Sequence, residues 1–297
     1  PQHPIYTLID TQLPSVGMSN LTETIRADVL DAIANDQLEL PTLPEVALRI
    51  RDTAQSESVS ASSLCKVIGQ DPGLSARLIQ IANSPMFRGV NTMHDLQMAV
   101  GRLGVEYTAN LAIGLAMKQM FQATSEIVDR KLRAAWAHAC DVAAISGVIA
   151  KSFTDLRPDQ ATLAGLTHSI GMLPILTFAE TNEHLIRDSL TLDAVIESAH
   201  GSLGSTILHA WDFPGEVVMV PAAYTTFDRA IEKPDLADVV MVANLQTVFN
   251  TPHPFAQLDW SRIGAFTRLG LDPNPESTEL EGFREDVASA KHLIRPE

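Results

Sequence analysis

Three of the nine histidines could carry chemistry in this chain: His138, His168 and His200. Neutral imidazole binds divalent metals and also tolerates a largely apolar wall. His138 follows Trp136 in a long helical pattern. His168 sits near the end of an apolar one, and His200 ends the pattern that holds Ala194, Val195 and Ile196, just before Gly201. Converging in a helical bundle, the three could hold Zn²⁺ with an open position. The plain alternative is three satisfied core or surface histidines. The residue after His168 sharpens the choice. A His-Asp pair in this setting would serve a metal-dependent phosphohydrolase, with the carboxylate neutralising the metal. The pair here is His168-Ser169, so the carboxylate is a hydroxyl.

Other catalytic signatures are missing. The chain has no His-Glu-x-x-His, no Walker loop and no Gly-x-Ser-x-Gly. Cys65 and Cys140 lie in apolar helical patterns without paired spacing, which fits a reducing cytoplasm. Cys140 is two residues from His138, a spacing that points the two side chains to different parts of a helix. The formal net charge of −15 and pI near 4.9 repel phosphate backbones and anionic lipid surfaces. The expected partners are therefore signalling proteins or a small ligand, with neither nucleic acid nor membrane. No apolar run approaches the ~18 residues that would span a bilayer, and Pro1–Pro4 shows no secretory signal.

The elements that must position these histidines read as helices. In 297 residues, 45% hydrophobic, there is ample material for a large core. Residues 1–18 carry Pro1, Pro4, Pro14 and Gly17 and read as an irregular arm. Ser19 caps a first helix, Pro44 opens a second and Ser60 a third. Asp71-Pro72 pairs an N-cap with proline at the first helical position, and Asn83-Ser84-Pro85 ends that helix. Gly104 closes the next. Met117 and Met120 read as core filler in a long apolar pattern from Val105 to Phe121. Ser125 begins a long helix that carries His138, and Pro158 opens the one that carries His168. Further helices are expected near 191–200, 202–211, 214–228, 234–249 and 277–292. Two-residue alternation is scarce, so the fold class is all-α. A break near Ala123-Thr124 divides an N-terminal helical lobe, 19–124, from a C-terminal one, 125–297.

The chain resembles the HDOD family, the HD-related output domains of bacterial signalling proteins. The matching stretches are Leu40 through Ala47, Asp71 through Leu78, Ile81 through Pro85 and Ala99 through Gly104. They continue through Trp136-Ala137-His138, Ala164 through Gly171, and His200 through Pro214. The resemblance runs from about Leu38 to Asn244 and implies an HD-like C-terminal lobe. Catalytic relatives of the family are HD-type metal phosphohydrolases, cyclic dinucleotide phosphodiesterases among them.

By that resemblance His138 takes the place of the first metal-binding histidine and His168 that of the paired one. Ser169 replaces the aspartate. Ala222-Ala223-Tyr224 stands where relatives carry a His-His pair, and Ala243-Asn244 matches the closing aspartate. Metal-assisted hydrolysis needs a cation to polarise phosphate and acidify water. Ser169 and Asn244 cannot neutralise such a cation, so two-metal chemistry is not expected. The leading expectation is a non-catalytic regulatory module. Its former active site, His138, His168, Ser169, His200 and Asn244, would survive as a vestige able to bind a small anionic ligand. The alternative is a phosphohydrolase with one divalent ion, such as Zn, Fe or Mn, on His138, His168 and His200. The Met117–Met120 segment and the Pro85–Asn91 loop are candidate contact surfaces, against the plainer reading of core and loop.

Overall fold

The computed structural model describes residues 16–35, 37–84, 87, 91–274 and, near the end, 285, 287, 288, 290, 291 and 294. The first fifteen residues of the expected arm, most of the Pro85–Asn91 loop and most of the expected 277–292 helix lie outside these. Among the described residues every regular element is helical.

Helix α1 (Val16–Ala34) begins three residues before the expected Ser19 cap. Next are α2 (Glu45–Gln55), α3 (Ala61–Ile68), α4 (Pro72–Ala82) and α5 (Leu96–Leu103). Their starts and stops follow the expected chemistry. Ser60 and Ser63 form a reciprocal capping box at α3, and the Asp71 side chain caps α4 at the amide of Leu74. Pro44, expected as the first residue of α2, stands one position before it and makes no side-chain cap. Gly104 ends α5 at φ 87°, a value that only glycine adopts without strain. Asn83 spans the connection beyond α4, since its side chain exchanges two hydrogen bonds with the backbone of Met93 at 2.7 and 2.8 Å.

Helix α6 (Val105–Ala116) gives way to a 3₁₀ turn, Met117–Met120. Met117 is fully buried and Met120 packs against the core, so both are filler. The long α7 (Glu126–Phe153) buries nearly its whole C-terminal half and packs most closely on α8 (Pro158–Thr167). Gly165 permits this. A Cβ there would lie 2.5 Å from the Cα of Ala143, closer than two carbons can approach. Then come α9 (Met172–Glu180), α10 (Glu183–Arg187) and α11 (Ser189–Ala210).

The two helices expected at 191–200 and 202–211 are one, α11, so His200 lies inside it rather than at its end. Gly201 does not stop the helix because it serves a contact instead: a Cβ would meet the Pro221 carbonyl oxygen at 2.8 Å. The expected 214–228 helix is two four-residue pieces, α12 (Gly215–Val218) and α13 (Val220–Ala223). Helix α14 (Leu236–Val248) and the short α15 (Gly264–Leu269) complete the fold.

One hydrophobic core runs from Val29 in α1 to Ile294. Helix α1 packs on α11, and α6 packs on both α2 and α8. Trp211, just past α11, ties distant segments together. Its indole Nε1–H donates to the Pro41 carbonyl at 3.0 Å, and its own carbonyl accepts from Arg51 Nη1 at 2.5 Å. By length and composition alone, Pro158–Glu180 is apolar enough to cross a membrane, at a mean hydropathy of 1.3. That corrects the expectation that no stretch approaches this length. It is 89% buried within the protein, as a core segment would be, and breaks between α8 and α9.

Candidate functional site

The site is assembled from four helices and two connections. Helix α7 supplies His138, the C-cap of α8 and the turn beyond it supply His168 and Ser169, α11 supplies His200 and α14 supplies Asn244. Tyr224 follows α13, and His253 follows α14. Gly171 sets the spacing of α9 and α11, because a Cβ there would lie 1.9 Å from the carbonyl oxygen of His200. Every one of these side chains is at least nine-tenths buried.

Four of the five residues expected at the site, His138, His168, His200 and Asn244, come together, joined by Tyr224, and Ser169 adjoins His168 in the chain. His138 Nε2 lies 2.8 Å from Asn244 Oδ1, and its ring is 5.6 Å from that of His168. The ring of Tyr224 meets that of His168 edge-on at 4.9 Å. Its hydroxyl lies 2.8 Å from His200 Nε2. The contacts thus run Asn244–His138–His168–Tyr224–His200.

Hydrogen bonding fixes the protons. His200 Nδ1 sits 2.7 Å from the Ile196 carbonyl, which can only accept, so Nδ1 carries the proton and Nε2 accepts from the Tyr224 hydroxyl. His168 Nδ1 donates in the same way to the Gly165 carbonyl at 2.7 Å. His138 Nε2 donates to the Asn244 amide oxygen. Burial keeps the His168 and His200 rings neutral. It pushes the His168 pKa down to about 3, with help from neighbouring His138, and lowers that of His200 as well.

Two members of this cluster were missed in the sequence. In the sequence Tyr224 reads only as a departure from a His-His pair, and nothing there marks it as the residue that joins the histidines. His253 had no local signal, since it follows α14 by five residues in an irregular stretch. Its Nδ1 accepts from the Phe255 amide at 3.0 Å, and burial, then the charge of His138, pulls its pKa down to about 4.

The donor set does not fit a catalytic divalent ion. Metal binding needs a ring nitrogen lone pair directed at the ion. The Nε2 of His138 carries a proton directed at Asn244, and the Nε2 lone pair of His200 is held by Tyr224. Ser169 Oγ is buried with no hydrogen-bond partner, but it is a neutral oxygen and supplies no charge. Among the described residues, no three His, Cys, Asp or Glu side chains gather to hold a metal ion.

A charged cluster anchors α14. Asp238, fully buried, accepts from Arg229 Nη1 at 2.9 Å and from Arg268 Nε and Nη2 at 2.6 and 2.7 Å. Asp235 caps the helix and pairs with Arg229, which holds its carboxyl below the usual range despite burial.

Residues 40–227 match the HDOD domain family. The chain is 28% identical to a candidate metal-dependent phosphohydrolase from Shewanella amazonensis SB2B. That structure superposes with a TM-score of 0.79, covering 93% of this chain and 98% of the other. An HDOD domain protein of unknown function from Geobacter sulfurreducens is 20% identical at a TM-score of 0.61, over 91% of this chain and 98% of its own. An uncharacterized protein of Treponema pallidum (strain Nichols) is 24% identical over 85% of this chain. The chain spans 50% of that protein's length.

Proposed function

The chain belongs to the HDOD family, and on that premise we propose that it is a regulatory module without hydrolase activity, acting through protein contacts or a bound small molecule. The observation that carries this reading is the pairing of histidines with the protein's own polar groups. Asn244 engages His138 and Tyr224 engages His200, while the ring of Tyr224 packs on His168. A metal-dependent hydrolase needs those nitrogens for its ion and a carboxylate beside them. The chain offers Ser169 instead, and polar partners of its own for the Nε2 atoms of His138 and His200.

The competing reading, a phosphohydrolase with an altered ligand set, draws on the likeness to the Shewanella protein. One assay separates the two. The protein is incubated with Mn²⁺, Fe²⁺ or Zn²⁺ and offered cyclic dinucleotides and bis(p-nitrophenyl) phosphate. Hydrolysis no faster than that of His168→Ala is expected. Turnover that disappears in His168→Ala would overturn the regulatory reading.

A further inference from the structure

A second feature lies apart from the histidine network. A cleft of about 410 Å³ opens between α2, α4, the end of α6 and the first half of α7. That is the scale of a small-molecule site, which typically begins near 300 Å³. Its wall includes Leu74 and Leu115, and its floor is Trp136, buried and packed against Phe121. Arg77 and Lys118 bring two cations to the same cleft.

The polar groups there are poorly matched to the protein. Arg77 makes one hydrogen bond, from Nη1 to Gln80 Oε1 at 3.2 Å, and its Nη2 is buried without a partner. The Trp136 indole Nε1–H is buried and unpartnered too. Both can only donate. Asp71 is the one carboxylate in the lining, and its Oδ1 caps α4 at the Leu74 amide. Neither Arg77 nor Lys118 forms an ion pair among the described residues, in a chain whose net charge is −15. Burial lowers the Arg77 pKa, as expected for a desolvated cation lacking a counter-charge. Stranded buried donors are costly and uncommon in native proteins. Two in the lining of one cleft, beside a cation, mark a place for acceptor oxygens.

We propose that this cleft binds a small organic anion, a carboxylate or phosphate on a flat apolar body. Arg77 takes the anion, its guanidinium turning toward the cleft it already lines. Trp136 supplies an N–H and a flat face, Leu74 and Leu115 cover the apolar body, and Lys118 attracts the anion from the rim. This gives work to Arg77 and Trp136, which lie in two stretches of family resemblance yet take no part in the histidine network.

The test is calorimetric titration of the full chain with phenyl phosphate, benzoate and, as the uncharged control, benzyl alcohol. Saturable one-to-one binding of phenyl phosphate or benzoate, without binding of benzyl alcohol, is expected. Whichever anion binds more tightly identifies the headgroup as phosphate or carboxylate. Arg77→Gln should weaken binding about ten- to a hundredfold, the usual effect of losing a charge-assisted hydrogen bond. Should that variant fail to fold, Trp136→Phe and the exposed Lys118→Gln provide the same readout, each with a smaller loss. Absence of binding by both anions, or affinity unchanged in the folded variants, overturns the proposal.

Discussion

Acidification is expected to destabilise the protein well before its carboxylates begin to protonate. Unfolded, each imidazole takes its proton near pH 6.5, whereas folded His168 does so only near 3. Between those values the unfolded chain binds more protons, so acid favours unfolding. The stability held by the neutral ring is complete above pH 6.5 and is lost as the pH falls toward 3. For His168 this is on the order of 5 kcal/mol, against a total of about 5–15 kcal/mol for a typical domain. His253 and His200 are shifted in the same direction by burial and add to the effect. Urea unfolding midpoints should therefore decline steadily from pH 6.5 to about 5.5, a window in which carboxylates of ordinary pKa stay charged. Replacing the ring with a neutral amide, His168→Gln, should flatten that decline by about 1.4 kcal/mol per pH unit, the contribution of one proton. A wild-type profile that stays level over this window would show that the histidines are not held neutral.

Removing the Asp238 carboxylate should cost about 3–5 kcal/mol, as expected when a buried pair loses one partner and the other charge remains. Asp238 neutralises two guanidinium groups at once, those of Arg229 and Arg268. In Asp238→Ala both cations stay behind, with only Asp235 among the described residues paired to share the load. The loss should reach the histidine network as well, because Asp238 lies on α14 six residues before Asn244. Denaturant titration measures the first effect. The second is read as a shift of the His138 ring resonances under conditions where the variant is still folded. An unchanged unfolding midpoint would mean that the cluster is a surface feature, comparable to the exposed Arg26–Glu23 pair of α1.

What the sequence made legible is mostly local chemistry. Ser60, Asp71 and Gly104 mark helix ends because a capping oxygen or a positive φ acts within a few residues. Pro158 opens α8 for the same kind of reason. The all-helical class follows from the scarcity of two-residue alternation, and the family resemblance alone assigns His138, His168, Ser169, His200 and Asn244 to one site. What stayed hidden depends on contacts between distant segments. Gly201 reads as a helix stop, yet it lies inside α11 because the Pro221 backbone approaches it there. Val220–Ala223 is one short turn rather than part of a long helix, and the chain leaving it brings Tyr224 to His200 and His168. His253 reaches the cluster from beyond α14, and no local pattern announces it. The Arg229–Asp238–Arg268 cluster spans thirty residues between Asp238 and Arg268 and has no periodicity to read.

No metal ion is expected on His138, His168 or His200, since Asn244 and Tyr224 engage two of the three rings. Elemental analysis tests this most directly, on protein expressed with manganese, iron and zinc supplied and then freed of loosely held ions. Metal at well below one ion per chain is expected, with no change in His138→Ala or His168→Ala. One tightly held ion per chain, lost in both variants, would contradict it.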